Sequence, residues 1–215
     1  MSGGVDSSVA ALLLKKQGYN VVGVFMRCFN LDGCAERDAE DARRVAEKLN
    51  IPFYVWDFEE EYKKRVVEYM IDGYRTGITP NPDVMCNKEI KFGIFFEKAC
   101  AAGADYVATG HYVRKLRLAR TGVAPLPASG ARLHLGLARP AKAGHQARSA
   151  SDSFSQDEVS FGLGIARDEN KDQSYFLWTL TQKHLEHCLF PIGDYLKSEV
   201  RAIAKKAGLS TAEKK

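Results

Sequence analysis

Residues Met1–Lys16, MSGGVDSSVAALLLKK, decide the fold. Two glycines, Gly3 and Gly4, lead into an apolar stretch with helical spacing that Gly18 stops, so a helix is expected over Ser7 to Gln17, capped by Asp6 or Ser7. A glycine pair running into a helix start lets backbone N–H groups approach an anion without side-chain clash, and the helix dipole favours negative charge there. The hydroxyls of Ser2, Ser7 and Ser8 add donors. Asp6 is no phosphate ligand, but its carboxylate can hold Mg²⁺ against a pyrophosphate. No lysine follows the second glycine, so the GxxxxGK[ST] loop of γ-phosphoryl transfer is not what this is.

Outward from the loop, helices and strands alternate. NVVGVFM reads as a buried strand, RDAEDARRVAEKLN as an amphipathic helix, IPFYVWDF as a second strand, and EEYKKRVVEYMIDGYRTG and KEIKFGIFFEKACAAG as further helices. DYVATGH is a third strand. This alternation predicts an α/β domain over residues 1–112, with a doubly wound, mostly parallel sheet and helices on both faces. From 113 to 170 the pattern dissolves into Ala, Arg, Gly, Pro and Ser, as expected of a basic, mobile insert. LGLAR at 135–139 recurs as LGIAR at 163–167, so a short strand was duplicated or an insert split a hairpin. Residues 171–215 return to helical patterns in NKDQSYFLWTL and GDYLKSEVRAIAKKAGL.

Composition narrows the class. A chain of 215 residues with 45% hydrophobic side chains can bury a full core. The apolar run Val9 to Leu14 is too short to span a bilayer, and its lysines follow it instead of preceding it as in an export signal. Cys28, Cys34, Cys86, Cys100 and Cys188 show neither a disulfide framework nor zinc-ligand spacing, which points to a reducing cytoplasm. Net charge is +4, yet residues 114–150 hold eight Lys or Arg and no acid, so the rest of the chain, +4 less those eight, carries −4. Those cations either reach nucleic-acid phosphates or form a solvated loop.

TPNPDVMCNKEIKFG, residues 79–93, is the second informative stretch. Pro80 and Pro82 oppose a regular helix, so Asn81, Pro82 and Asp83 are expected in a rigid exposed turn, with a helix starting near Lys88. Cys86 would then sit just before that helix, beside Lys88 and Lys91, where N–H groups and cations lower a thiol pKa. Cys28 and Cys100 are expected to be buried and inert, and Cys188 to be packing. His111, beside Gly110, suits a ligand-facing or structural role better than a general base.

SGGVDSS resembles the pyrophosphate loop of ATP-dependent adenylating enzymes. Together with residues 1–11, 40–58, 79–93, 104–112, 170–177 and 190–215, it makes the chain resemble the bacterial tRNA-specific 2-thiouridylases, while residues 114–167 do not. The resemblance implies a PP-loop fold and ATP-dependent replacement of the C2 oxygen of a wobble uridine by sulfur. It implies ATP and Mg²⁺, with phosphates on Ser2, Gly3, Gly4, Val5, Asp6, Ser7 and Ser8 and adenosine beside Met26 and Gly110. Asn81, Pro82 and Asp83 would meet the target base, Lys171, Asp172 and Gln173 the tRNA, and Cys86 would be the catalytic thiol. Partners would be tRNA and a persulfide donor or sulfur-relay protein, acting on a cytoplasmic monomer, and a disulfide bond is among the implied features.

In that family a strand precedes the loop, and a persulfide cysteine and barrel-like domains follow the segment matching STAEKK. The chain is therefore expected to be a fragment unable to complete thiolation alone. The rival readings are a non-catalytic nucleotide-binding remnant, a module needing a separate partner, and another adenylating synthetase or amidotransferase.

Overall fold

Residues 1–28, 33–118 and 160–214 are described by the computed structural model. They include helix α1 (Val5–Lys16), strand β1 (Gly23–Arg27), α2 (Cys34–Lys48) and β2 (Phe53–Asp57). β1 and β2 pair in parallel from Gly23 opposite Phe53 to Arg27 opposite Asp57. A parallel pair needs a crossover, and α2 supplies it. Its buried face is Ala35, Ala42, Val45 and Ala46, while Glu40 bridges Arg43 and Arg44 on the wet side.

α1 starts two residues before the expected Ser7, and no side chain caps it; Gly4 is the N-cap. It ends where the sequence indicates. Gly18 takes φ +88°, its N–H donating to Lys15 O while that of Tyr19 reaches Leu14 O, a closure that only a residue tolerant of the left-handed region makes without strain. Val9 and Leu12 of this helix share one core with Val200 and Ala204 of α8 (Lys197–Lys206) and with Leu209.

The long helix expected after β2 comes as α3 (Glu59–Tyr62), a π-helical stretch at Lys63–Val67, and α4 (Glu68–Arg75). Then α5 (Pro82–Met85) runs through a π-helical stretch, Cys86–Ile94, into α6 (Phe95–Ala101). This corrects the expected rigid turn. Pro82 takes the first helical position, where its missing N–H is not needed, and Asn81 caps the helix by accepting the Val84 N–H at 3.1 Å.

β3 (Val107–Ala108) pairs in parallel with β6 (Cys188–Leu189), and β4 (Arg114–Leu118) pairs with β5 (Ser160–Gly164). Among the described residues the strands thus form three two-stranded sheets. The segment read as helix NKDQSYFLWTL is instead two 3₁₀ turns, Glu169–Lys171 and Ser174–Phe176, because Asp172 spends its carboxylate on the backbone N–H groups of Ala166 and Ser174. α7 (Gln182–His187) follows.

The larger of two compact units is Met1–Leu116 with Phe161–Lys215. Of the smaller, Arg117–Ser160, only Arg117, Leu118 and Ser160 are described, and Ser160 Oγ donates to Leu118 O at 3.5 Å. The LGLAR repeat and most of the basic insert lie outside the described residues. No helix among the described residues is long and apolar enough to cross a membrane.

Candidate functional site

The loop before α1 is shaped by its glycines. Gly3 has φ +70°, and a Cβ there would collide with the Asp38 carbonyl. Gly110, at the end of β3, packs so tightly that a Cβ would lie 2.7 Å from Ser7 N. Ser2 Oγ and Ser7 Oγ are 3.1 Å apart, and Ser7 Oγ donates to Gly4 O at 3.2 Å. Ser8 departs from its expected role. It is fully buried, and both its hydroxyl (2.8 Å) and its N–H (3.3 Å) go to Gly4 O, so it braces the loop from behind. What faces outward is an uncapped helix start with backbone donors and two hydroxyls, a donor set that fits the phosphates of a nucleotide.

Asp6 is committed to protein partners. Lys197 Nζ lies 2.7 Å from both its carboxylate oxygens, and the Tyr112 hydroxyl donates to it at 3.0 Å. Burial and the Asp6 charge push the Tyr112 phenol well above its usual range. Sequence reading missed Lys197 and Tyr112, because nothing local to positions 112 or 197 signals a contact with residue 6. Asp6 is thus paired with a cation, and no cluster of three or more His, Cys, Asp or Glu side chains that could hold a metal occurs among the described residues.

Cys86 stands four residues inside a helix, not before one. Its N–H donates to the carbonyls of Pro82 and Asp83, so the donors that would favour a thiolate are spent a turn upstream. Burial pushes its thiol up; Lys91 opposes this and the Asp83 carboxylate adds to it. Burial thus opposes the activation expected from Lys91 and from a helix start. Cys86, Cys28 and Met26 all pack against Phe58, Val66 and Ile90, which brings the expected adenosine residue Met26 to the thiol's own cluster. Burial and the neighbouring Cys86 push the Cys28 thiol up to about 12. Cys188 is fully buried with its thiol also pushed up to about 12, whereas Cys100, expected inside, is exposed. All five cysteines are free, so the implied disulfide is not formed within this chain.

Lys91 links the two regions. From the helix of Cys86, its Nζ reaches within 3.5 Å of His111 Nε2, and His111 follows the Gly110 that seats on the loop. Burial and the Lys91 charge bring His111 down to about 3, and Thr109 Oγ1 holds its other nitrogen at 2.8 Å. A neutral, buried imidazole fits the structural role.

Asn81 and Asp83 are exposed beside Cys86. Of the expected tRNA residues only Lys171 faces solvent freely. Asp172 accepts from Ala166 N (2.7 Å), Ser174 Oγ (2.6 Å) and Ser174 N (3.2 Å), and Gln173 Oε1 accepts the Tyr112 N–H at 3.0 Å. Both are builders of the loop that presents Lys171.

The family model described as the tRNA methyl transferase HUP domain matches residues 1–140 and 131–215. The chain is 45% identical over 222 aligned positions to the tRNA-specific 2-thiouridylase MnmA of Christiangramia forsetii, covering 100% of this chain and 47% of that protein. It is 46% identical to the proteins of the same name from Bacillus pumilus and Streptococcus thermophilus, covering 49% of each. The chain spans about half the length of these curated relatives.

Proposed function

Because the chain belongs to the tRNA methyl transferase HUP domain family, we propose that it carries the nucleotide- and base-binding part of an ATP-dependent tRNA sulfurtransferase acting on C2 of a wobble uridine. The observation that carries this is the continuous path Ser7, Gly110, His111, Lys91, Cys86, which joins an anion-binding loop to a thiol through close contacts and charge. ATP, when bound, supplies the adenylyl group that turns the C2 oxygen into a leaving group. The first-turn N–H groups of α1 with Ser2 and Ser7 hold phosphates, Met26 and Gly110 border the adenosine, and Asn81, Pro82 and Asp83 present the base. A persulfide sulfur from a donor displaces AMP from C2. The Cys86 thiolate then attacks the donor's sulfur, breaking the S–S bond, leaving sulfur on C2 and forming a Cys86–donor disulfide that a thiol reductant reopens.

In this reading β1–β2 and β3–β6 are parts of one doubly wound sheet that flanks the chain entering α1. Residues 1–112 form the nucleotide-binding segment, 113–170 the insert and 171–215 the segment that offers Lys171 to tRNA. The test is pyrophosphate release from ATP and Mg²⁺ with tRNA bearing a wobble uridine. Release stimulated by this tRNA, and reduced in Ser7→Ala, is expected. Equal release with and without the tRNA would overturn the proposal.

A further inference from the structure

Beside the proposed base site lies a groove of about 740 Å³, lined by Tyr69, Asn81, Lys88, Tyr175, Trp178 and Thr179 among others. Its walls combine three features. Trp178 is 73% exposed and Tyr175 60%, two large aromatic faces held in water where burial elsewhere would be favourable. Tyr175 is braced from behind by Phe176, with ring centroids 4.0 Å apart and planes 36° apart, so its face is fixed before any ligand arrives. Thr179 Oγ1 is buried with no hydrogen-bond partner, and Lys88 brings a cation.

We propose that this groove is a stacking subsite for an unpaired nucleobase next to the target uridine, with Trp178 as its platform. The inference rests on the tRNA reading above. A nucleobase suits the groove better than an apolar peptide does. It offers a flat π-face to the indole, edge groups to Asn81, and a phosphate to Lys88, and such stacking tolerates any base. Asn81 belongs both to the groove and to the proposed target-base segment at the start of α5, so a single strand entering with its target at Asn81 leads its neighbour onto Trp178.

The experiment measures fluorescence anisotropy of a labelled anticodon stem-loop RNA with a wobble uridine, titrated with the wild-type chain, Trp178→Ala and Trp178→Phe. A fully paired hairpin closed by a compact tetraloop is the control RNA. Expected is a weakening of about 5- to 150-fold in Trp178→Ala, most of it restored by Phe, with an unchanged salt slope because stacking releases no counterions. Wild-type affinity in Trp178→Ala overturns the subsite and leaves the tRNA reading standing, whereas no binding of the loop RNA by the wild-type chain overturns both. An equal loss on the paired control, or a Trp178→Ala chain that sediments as monomer where the wild type is a dimer, also overturns the subsite and makes Trp178 a fold or self-association residue.

Discussion

Lys91 holds its ammonium 3.5 Å from the imidazole of His111, and the pair sits between the glycine loop before α1 and the Cys86 thiol. His111 is 7% exposed, and its pKa, near 6.5 in an unfolded chain, is brought down to about 3 by burial and by Lys91. The folded protein therefore refuses a proton that the unfolded chain accepts. Stability from this residue is fully present above about pH 6.5 and falls as pH drops toward 3, by up to about 1.4 kcal/mol per pH unit. Urea midpoints at pH 7.5, 6 and 5 should decline less steeply in His111→Gln than in the wild type. Parallel declines would remove His111 as the cause.

Thiol reactivity should follow burial and not helix position. With iodoacetamide at neutral pH, Cys100 is expected to react first, Cys86 roughly ten-fold or more slowly, and Cys188 last. Lys91→Met should slow Cys86 further, since it deletes a neighbouring cation that favours the thiolate. Peptide mass spectrometry over time gives the order, and Cys86 labelling ahead of Cys100 would contradict it.

The ion pair of Asp6 with Lys197 joins the first turns of α1 and α8, with the two side chains about a quarter to a third exposed. A double-mutant cycle of Asp6→Asn and Lys197→Met should give a coupling of about 0.5–3 kcal/mol in unfolding free energy. Additive single effects would mean the pair contributes no coupling.

Gly110→Ala places a methyl group 2.7 Å from Ser7 N and 2.9 Å from the Asp6 carbonyl carbon, both backbone atoms that cannot swing away. The expected cost is about 1–3 kcal/mol of stability, with weaker ATP binding measured by calorimetry. Gly18→Ala meets open space and pays only for its φ of +88°, about 1 kcal/mol, with ATP affinity unchanged. ATP binding at wild-type strength in Gly110→Ala would separate Gly110 from the nucleotide site.

Where residues act through local pattern, the sequence was readable. Gly3, Gly4 and the apolar run after them announce α1, and the alternation from Gly23 to Asp57 announces a β-α-β unit, because side-chain periodicity is a local property. Cys86 was misplaced because Pro82 both ends and begins structure, and the choice depended on Asn81 capping Val84. Its burial beneath Phe58, Val66 and Ile90 depends on residues distant in sequence. That Asp172 and Gln173 hold their loop through Ala166, Ser174 and Tyr112 was not legible in the sequence, because two of these partners lie outside the motif.

Gln173 clasps Tyr112 twice, its N–H donating to Tyr112 O at 2.9 Å and its side-chain oxygen receiving the Tyr112 N–H at 3.0 Å. A side chain here completes a rung that a neighbouring strand would ordinarily supply. Residue 173 is thus registered against residue 112 by its own two bonds, whatever number of residues separates them. Changes of chain length between the end of β4 and the start of β5 need not shift Lys171 or the groove beyond it, which makes this the seam along which the chain is free to vary.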